Sequence, residues 1–490
     1  MYKIFLIVAL VSTFEVNAQV SESAKTYSSL ITPEDLKDNL SIIASDAMEG
    51  RETGTRGQKM AAAFIANHFQ ELGLIGPVNG GNLQTVELYG TTPAVISLGS
   101  GTTTLTPAED FVYLGSAATD GRVETPLVFV GGGKEEDLTQ VSITGKTVIF
   151  ILEQGASLRN NPVITALRDK EAKEIFVVIE SKETFGTISS FSRGGDRLSL
   201  TKSSMPGLFI MTSAAAEKIY KMPIEKLKKT SVDKKLAKIK PANIFYSVSQ
   251  SFKEVKSENV LGYLEGTDKK DELLIITAHY DHIGKKKPGE GDLINNGADD
   301  DGSGTVAVMA LAKAFVQAKK EGKGPRRSIL FMTVTGEEKG LLGSDFYTQH
   351  PVFPLANTVV DLNIDMIGRN DPQHKDSAPY VYVVGSDKLS SDLHTLSESV
   401  NKASTNLIFD YTYNDEKHPD RIYYRSDHWN FAKKNIPIIF YFDGIHEDYH
   451  KVTDEISKID FGALTLRTQC VFFTAWEIAN REQRLVVDKK

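Results

Sequence analysis

At 490 residues the chain is longer than one hydrophobic core usually supports, so roughly two to four domains of ~100–200 residues are expected. An apolar content of 41%, a charged content of 24% and a net charge of −8 fit a globular chain and exclude a disordered or membrane-embedded one. The acidic balance argues against a nucleic-acid partner, and the basic run EKLKKTSVDKKLAKIK, residues 225 to 240, reads as a solvated face.

The chain opens with Lys3, the apolar run Ile4 to Val11, and the small-residue site Val16-Asn17-Ala18, which together read as an export signal over residues 1–18 with a mature start near Gln19. The run is much shorter than the ~20 apolar residues of a spanning helix, and no later stretch reaches that length, so no transmembrane segment is expected. Cys470 is the only cysteine, which leaves no internal disulfide and no site for lipid attachment. A periplasmic or secreted protein without a lipid anchor is therefore expected. Cys470 itself sits in CVFFTAW, where a buried apolar role fits it.

Residues 33 to 75 read as two helices, the first opened by the cap and proline of Thr32-Pro33-Glu34 and the second running from Gln58 to Leu72. Between them lies the turn-rich GRETGTRG. Residues 90–252 change texture to short β-type runs (TPLVFVG, KTVIFILE, EIFVVIE, PGLFIMT) separated by Gly, Asn and charged turns, an inserted β-rich unit. From 255 to 485 strands and helices alternate: ELLIITAHYD, a helix Gly304 to Lys319, SILFMTVTGEE, TVVDLNIDMIG, YVYVVGS, a helix near 389 to 402, IPIIFYFDG and a closing helix near 460 to 481. That is the pattern of an α/β fold, a mixed, largely parallel central sheet with helices on both faces, whose ligands collect beyond the carboxyl ends of the strands.

Several of these runs end in acidic or imidazole side chains. ELLIITA ends in His279-Tyr280-Asp281, SILFMTVTG in Glu337-Glu338, TVVDLNI in Asp365, and the acidic turn GADDDGSG, residues 297 to 304, opens a helix between the first two. In extended chain, residues i and i+2 share a face, so the Asp281 carboxylate is expected to accept the second ring N–H of His279. Adjacent Glu337 and Glu338 point in different directions, so one can bind metal while the other handles a proton. Imidazole and carboxylate without thiolate suit zinc first, then manganese or cobalt, and two metals ~3.5–4 Å apart are a recurrent peptidase arrangement.

Taken in order, His279-x-Asp281, GADDDGSG, Glu337-Glu338, NIDMIG around Asp365 and DYHKVTDE around His450 resemble the co-catalytic dizinc exopeptidases, the family of bacterial leucyl aminopeptidases and glutamate carboxypeptidases. The likeness covers roughly residues 30–88, including DAMEGRETGTRG, and 255–485, the two parts of a peptidase domain. The resemblance implies two zinc ions bridged by Asp300, with His279 and Asp365 completing one site and Glu338 and His450 the other. It further implies Glu337 as the general base acting on a metal-bound water, Asp281 as the residue orienting His279, Tyr449 as a contact to the tetrahedral intermediate, and peptides as substrates. His446 takes a structural role, and RSDHWNF, with Ser426, Asp427 and His428, resembles a family segment near the substrate pocket and takes no metal role. By position, the 90–252 insert resembles a protease-associated domain. Terminal peptide bonds are then the target, read from the amino end; a carboxypeptidase would use Arg421 or Arg425 for the substrate carboxylate. A single-zinc glutaminyl cyclase and a non-catalytic binding module are the rival readings on the same fold, and no G-x-S-x-G elbow supports a serine hydrolase.

Overall fold

The computed structural model describes residues 20–158, 161–193, 198–202, 207–233, 235–375 and 377–489, so the expected export signal lies outside the described residues. Leu88–Val255 forms one compact unit, and the chain on either side of it forms the other. The insert expected over 90–252 falls inside the first of these.

In the larger unit the strands lie in the order Ile408–Asp410, Tyr380–Val384, Ile438–Phe442, Thr358–Ile364, Lys269–His279, Arg327–Val334 and Phe252–Leu264. Lys269–His279 runs parallel to both Arg327–Val334 and Thr358–Ile364, and the latter runs parallel to Ile438–Phe442. Phe252–Leu264 and Tyr380–Val384 add antiparallel pairings toward the flanks. Arg327–Val334 and Thr358–Ile364 are buried at every position. Continuous burial, rather than alternation, is what a sheet covered on both faces requires.

Helix Gly304–Lys320 is apolar around nearly its whole circumference and packs between the sheet and other helices, as a helix without a solvent face must. Helix Pro33–Ile43 begins as its sequence dictates: Thr32 caps it by accepting from the Asp35 amide, and Pro33 occupies the first turn, where its missing N–H costs nothing. Helix Arg56–Leu72 stops at Gly73, whose left-handed φ of 86° closes the last turn.

The register of the parallel strands sets where side chains can gather. His279 lies opposite Val334, and Thr277 lies opposite Asn363. Asp365, two residues past Asn363, therefore leaves its strand level with His279, while Glu337 and Glu338 follow just beyond Val334. The carboxyl ends of three neighbouring strands thus bring four ionisable groups to one edge.

The smaller unit departs from the β-rich texture expected of it. Among the described residues its eight-stranded sheet includes a parallel run, Val123–Phe129, Thr147–Ile151, Glu174–Ile179 and Leu208–Thr212, with helices Pro162–Asp169 and Lys182–Arg193 in the connections between the last three. Parallel neighbours cannot be joined by tight turns, so the intervening polar stretches fold as crossover helices. Asn161 caps one of them by accepting from the Val163 amide. At 8 and 12 residues these helices are short enough to be concealed among the turns.

Gly304 stands where the acidic turn meets its helix. A Cβ there would lie 2.5 Å from the Asp301 carboxylate oxygens and 2.7 Å from the Ile364 carbonyl. Gly304→Ala is expected to lower stability by ~1–3 kcal/mol, the usual cost of overpacking, although alanine is the better helix former. Denaturant unfolding checks this, and a variant as stable as the parent would refute the close approach.

Candidate metal centre

His279 is the last residue of its strand and is 1% exposed. Its Nδ1 lies 3.0 Å from the main-chain oxygen of Asp281, which leaves Nε2 facing the centre. Nε2 is 3.3 Å from Asp300 Oδ1, 3.5 Å from Asp365 Oδ1 and 4.0 Å from Glu337 Oε2. On the other side, His450 Nε2 lies 3.0 Å from Asp300 Oδ2 and 3.2 Å from Glu338 Oε2. Asp300 therefore turns one oxygen toward His279 and the other toward His450.

The His279 partner differs from the sequence expectation. The Asp281 carboxylate is 4.0 Å away from Nδ1, and the carbonyl takes its place. The strand ends at His279, so the rule that i and i+2 share a face lapses one residue later. The Asp281 carboxylate instead accepts from the Thr53 hydroxyl at 2.7 Å and from the Glu337 amide at 3.2 Å. It fixes the backbone of the glutamate pair rather than the imidazole.

Asp454, the acidic residue that follows His450 in the motif, accepts the amides of Asp299 and Asp300, each at 3.1 Å, and its carbonyl accepts from Ala298. It ties the His450 loop to the acidic turn. His446 Nε2 lies 3.1 Å from Asp299 Oδ2, outside the central group. Asp427 accepts from the Ser344 hydroxyl and His428 Nε2 donates to the Tyr423 carbonyl at 2.8 Å, with the His428 ring stacked on Phe440, so both support the pocket wall. Cys470 is buried in the core.

Two buried residues beside the centre carry no role in the sequence reading. Asp301 Oδ1 accepts the amides of Gly304 and Met366, an occupation that a helix-opening position allows. It can also join His279 and Asp365 around an ion. His282 is fully buried with Nδ1 2.9 Å from Glu338 Oε1. Its signal was present in the sequence as the second histidine of AHYDHIG. The peptide bond between Asp300 and Asp301 is cis.

The donor set fits a metal. Asp300 Oδ2, Glu338 Oε1 and His282 Nδ1 are buried and make no aligned hydrogen bond, although their partners stand within ion-pair reach. Asp300 Oδ2 and His450 Nε2, 3.0 Å apart without hydrogen-bond alignment, are aimed at a common third point, whereas His282 Nδ1 and Glu338 Oε1 stand in ion-pair contact with each other. Ligand atoms on a tetrahedral zinc at 2.0–2.1 Å lie ~3.3 Å apart. The spacings among His450, Asp300 and Glu338, and among His279, Asp300 and Asp365, bracket that value.

Charge points the same way. Burial opposes the charge on Asp300, but the imidazoles of His279 and His450 hold it well below the usual carboxylate range. Burial, helped by Glu338 and Asp365, raises Glu337 well above its ordinary value. Burial works against the His450 cation, yet Asp300 and Glu338 push it up to about 10. His279 is raised well above its usual value by Asp365, Glu337 and Asp300, again against burial.

The cleft over the centre, about 370 Å³, is lined by His279, Asp300, Glu337 and Asp365 at its floor and by Met366, Ile422, Phe440, Phe442 and Ile445 on its apolar wall. Arg425 and Tyr449 complete it, and Arg425 Nη2 donates to the Tyr449 hydroxyl at 3.2 Å. Arg421 is not among the lining residues and stacks on Tyr424.

An α/β sheet with a carboxylate and imidazole cluster at its strand ends defines the class, and residues 259–474 match the model of peptidase family M28. Over that stretch the chain is similar to this family. A probable glutamate carboxypeptidase of Arabidopsis thaliana is 25% identical over 356 residues, 64% of this chain and 48% of that protein. Leucine aminopeptidase 2 of Trichophyton rubrum is 24% identical over 265 residues, 48% of each chain. The chain thus spans about half the length of these two curated relatives. An aminopeptidase from Aneurinibacillus sp. strain AM-1 shares the fold, with a TM-score of 0.59 and 18% identity over 95% of this chain and 98% of that one. No helix among the described residues is long and apolar enough to cross a membrane.

His450 holds a proton at about pH 7 in the metal-free centre, because Asp300 and Glu338 push it up to about 10 against burial, and His279 is raised in the same direction. A cation can bind only as those protons leave. Zinc added to the metal-free protein near pH 7 is therefore expected to release roughly one to two protons, and its affinity to rise with pH. Calorimetry in buffers of different ionisation heat measures the release. Zero release would contradict the protonated imidazoles.

Proposed function

We propose that the protein is an exported metallo-aminopeptidase that hydrolyses the amino-terminal peptide bond of peptide substrates with two zinc ions. The observation that carries this reading is Asp300, whose two oxygens face His279 and His450 separately. His279, Asp300 and Asp365 would hold one ion, and Asp300, Glu338 and His450 the other. When bound, zinc supplies Lewis-acid polarisation of a carbonyl and of the attacking water, which is why no protein nucleophile is needed.

Glu337 does the proton work. It lines the cleft beside the centre, and burial together with its acidic neighbours raises its proton affinity. It takes the proton from water as water attacks the scissile carbonyl and hands that proton to the leaving amine. Asp281 holds the Glu337 amide and so sets the carboxylate's direction. The Tyr449 hydroxyl accepts from Arg425, which leaves its own proton free to be donated into the cleft, toward a developing oxyanion. The apolar wall suits an apolar side chain at the reacting residue. Export rests on the leading segment, and the names borne by the relatives support the amino-terminal reading.

Carboxypeptidase activity is the second reading, favoured by the cation of Arg425 in the cleft. Free-amine, N-blocked and C-amidated peptides separate the two: an aminopeptidase cleaves the amidated peptide and spares the blocked one, and the reverse would assign the carboxyl end.

Glu337→Gln is expected to keep its ions and lose about 10²–10⁴ in kcat, the usual share of general acid–base catalysis. Metal analysis and steady-state kinetics on one preparation decide it, and normal turnover would remove Glu337 from the mechanism. Asp300→Ala is expected to weaken both ions together, since one carboxylate serves both. Loss of a single ion on metal analysis would contradict the bridge.

A further inference from the structure

We propose that His282 is a positioning residue for Glu338: its ring holds the outer carboxylate oxygen, Oε1, so that Oε2 is turned toward His450 and Asp300. The inference rests on the reading of the centre as a metal site.

The distances separate positioning from ligation. His282 Nδ1 is 2.9 Å from Glu338 Oε1 but 3.9 Å from Asp300 Oδ2. His450 Nε2, by contrast, is 3.0 Å from Asp300 Oδ2 and 3.2 Å from Glu338 Oε2. Ligands of one tetrahedral zinc lie ~3.3 Å apart, so His450 fits the shared position and His282 reaches only the far oxygen. A carboxylate that binds through one oxygen is free to rotate unless its other oxygen is held, and partners of this kind typically contribute about 10- to 100-fold in metal affinity.

The surroundings fix the ring. A Cβ on Gly297 would lie 2.6 Å from His282 Cγ and Cδ2, and Gly297 itself has a φ of +56°. Glycine lets the acidic turn press flat on the imidazole face. Behind the ring, the His282 amide donates to the Arg51 carbonyl at 3.3 Å and the Gly284 amide to the Gly50 carbonyl at 3.0 Å.

Arg51 is fully buried, and its guanidinium donates to the carbonyls of Tyr280, Ile43, Asn296 and Gly297. One side chain thus ties the segment carrying His282 to the turn that covers its ring. The GRETG segment, far away in sequence, acts on the centre through this clamp.

Zinc titrated into the metal-free full-length chain tests the proposal, read by calorimetry and by metal content after dialysis. The chains compared are the parent, His282→Ala and His282→Asn, whose amide N–H lies near the former Nδ1. His282→Ala is expected to bind one ion as the parent does and the other about 10- to 100-fold more weakly, with His282→Asn recovering most of the loss.

Parent-like affinity for both ions in His282→Ala would overturn the proposal. So would complete loss of one ion in both variants, which would make His282 a ligand. An equal weakening of both ions would point to general damage and would also overturn it. A parent chain that takes up a single ion would sink the two-ion reading by itself. The variants then report on the remaining ion: weakening rescued by asparagine supports the positioning role, and no change refutes it.

Discussion

Buried like charge at the end of a sheet is the constraint on which this structure depends. Asp300, Asp301, Glu337, Glu338 and Asp365 converge with only three imidazoles, His279, His282 and His450, in a region largely closed to water. An unpaired buried carboxylate costs several kcal/mol even after relaxation, so the cluster cannot stand as a set of bare anions. Protons or cations must join it.

The protein distinguishes the carboxylates it satisfies from those it leaves open. Around the rim, Asp281 receives Thr53 and an amide, Asp454 receives two amides, and Asp299 receives the Gly368 amide beside His446. These acids bond the loops to one another. Within, Asp300 Oδ2 and Glu338 Oε1 are left without a hydrogen bond although both are buried. A fold that supplies donors to these three acids leaves the inner Asp300 Oδ2, which faces His450, open for another partner. That contrast, more than the count of acids, identifies the inner group as the place for a cation.

The centre was legible in the sequence because parallel strands give position a chemical meaning. Once ELLIITAH, SILFMTV and TVVDLNI read as buried neighbours, His279, Glu337, Glu338 and Asp365 had to leave the sheet at the same edge. His450 was different. It sits on a loop beyond Ile438–Phe442, with φ at 56°, and only the match of DYHKVTDE singled it out. Asp454 ties the loop that carries His450 to the acidic turn, a contact that no local pattern encodes. The role of the Asp281 carboxylate was misread because strand geometry was extended one residue too far. The crossover helices of the smaller unit were hidden by their length, and Arg51 gave no sign that its charge would be spent on four carbonyls.

A division of labour follows between the sheet and its loops. In the proposed reaction the groups fixed by strand ends act on water and a carbonyl, and that chemistry is the same whichever end of a peptide is presented. The groups that could tell the ends apart, Arg425, Tyr449, Ile422 and Ile445, all stand on segments outside the strands. Arg425 is already engaged by Tyr449, so a substrate carboxylate would have to compete with the phenol for the guanidinium. The amino-terminal reading needs no such exchange, because it asks nothing of the guanidinium. In the proposed reaction, binding the amino end leaves the Arg425–Tyr449 pair intact for the developing oxyanion, whereas binding the carboxyl end would dismantle it.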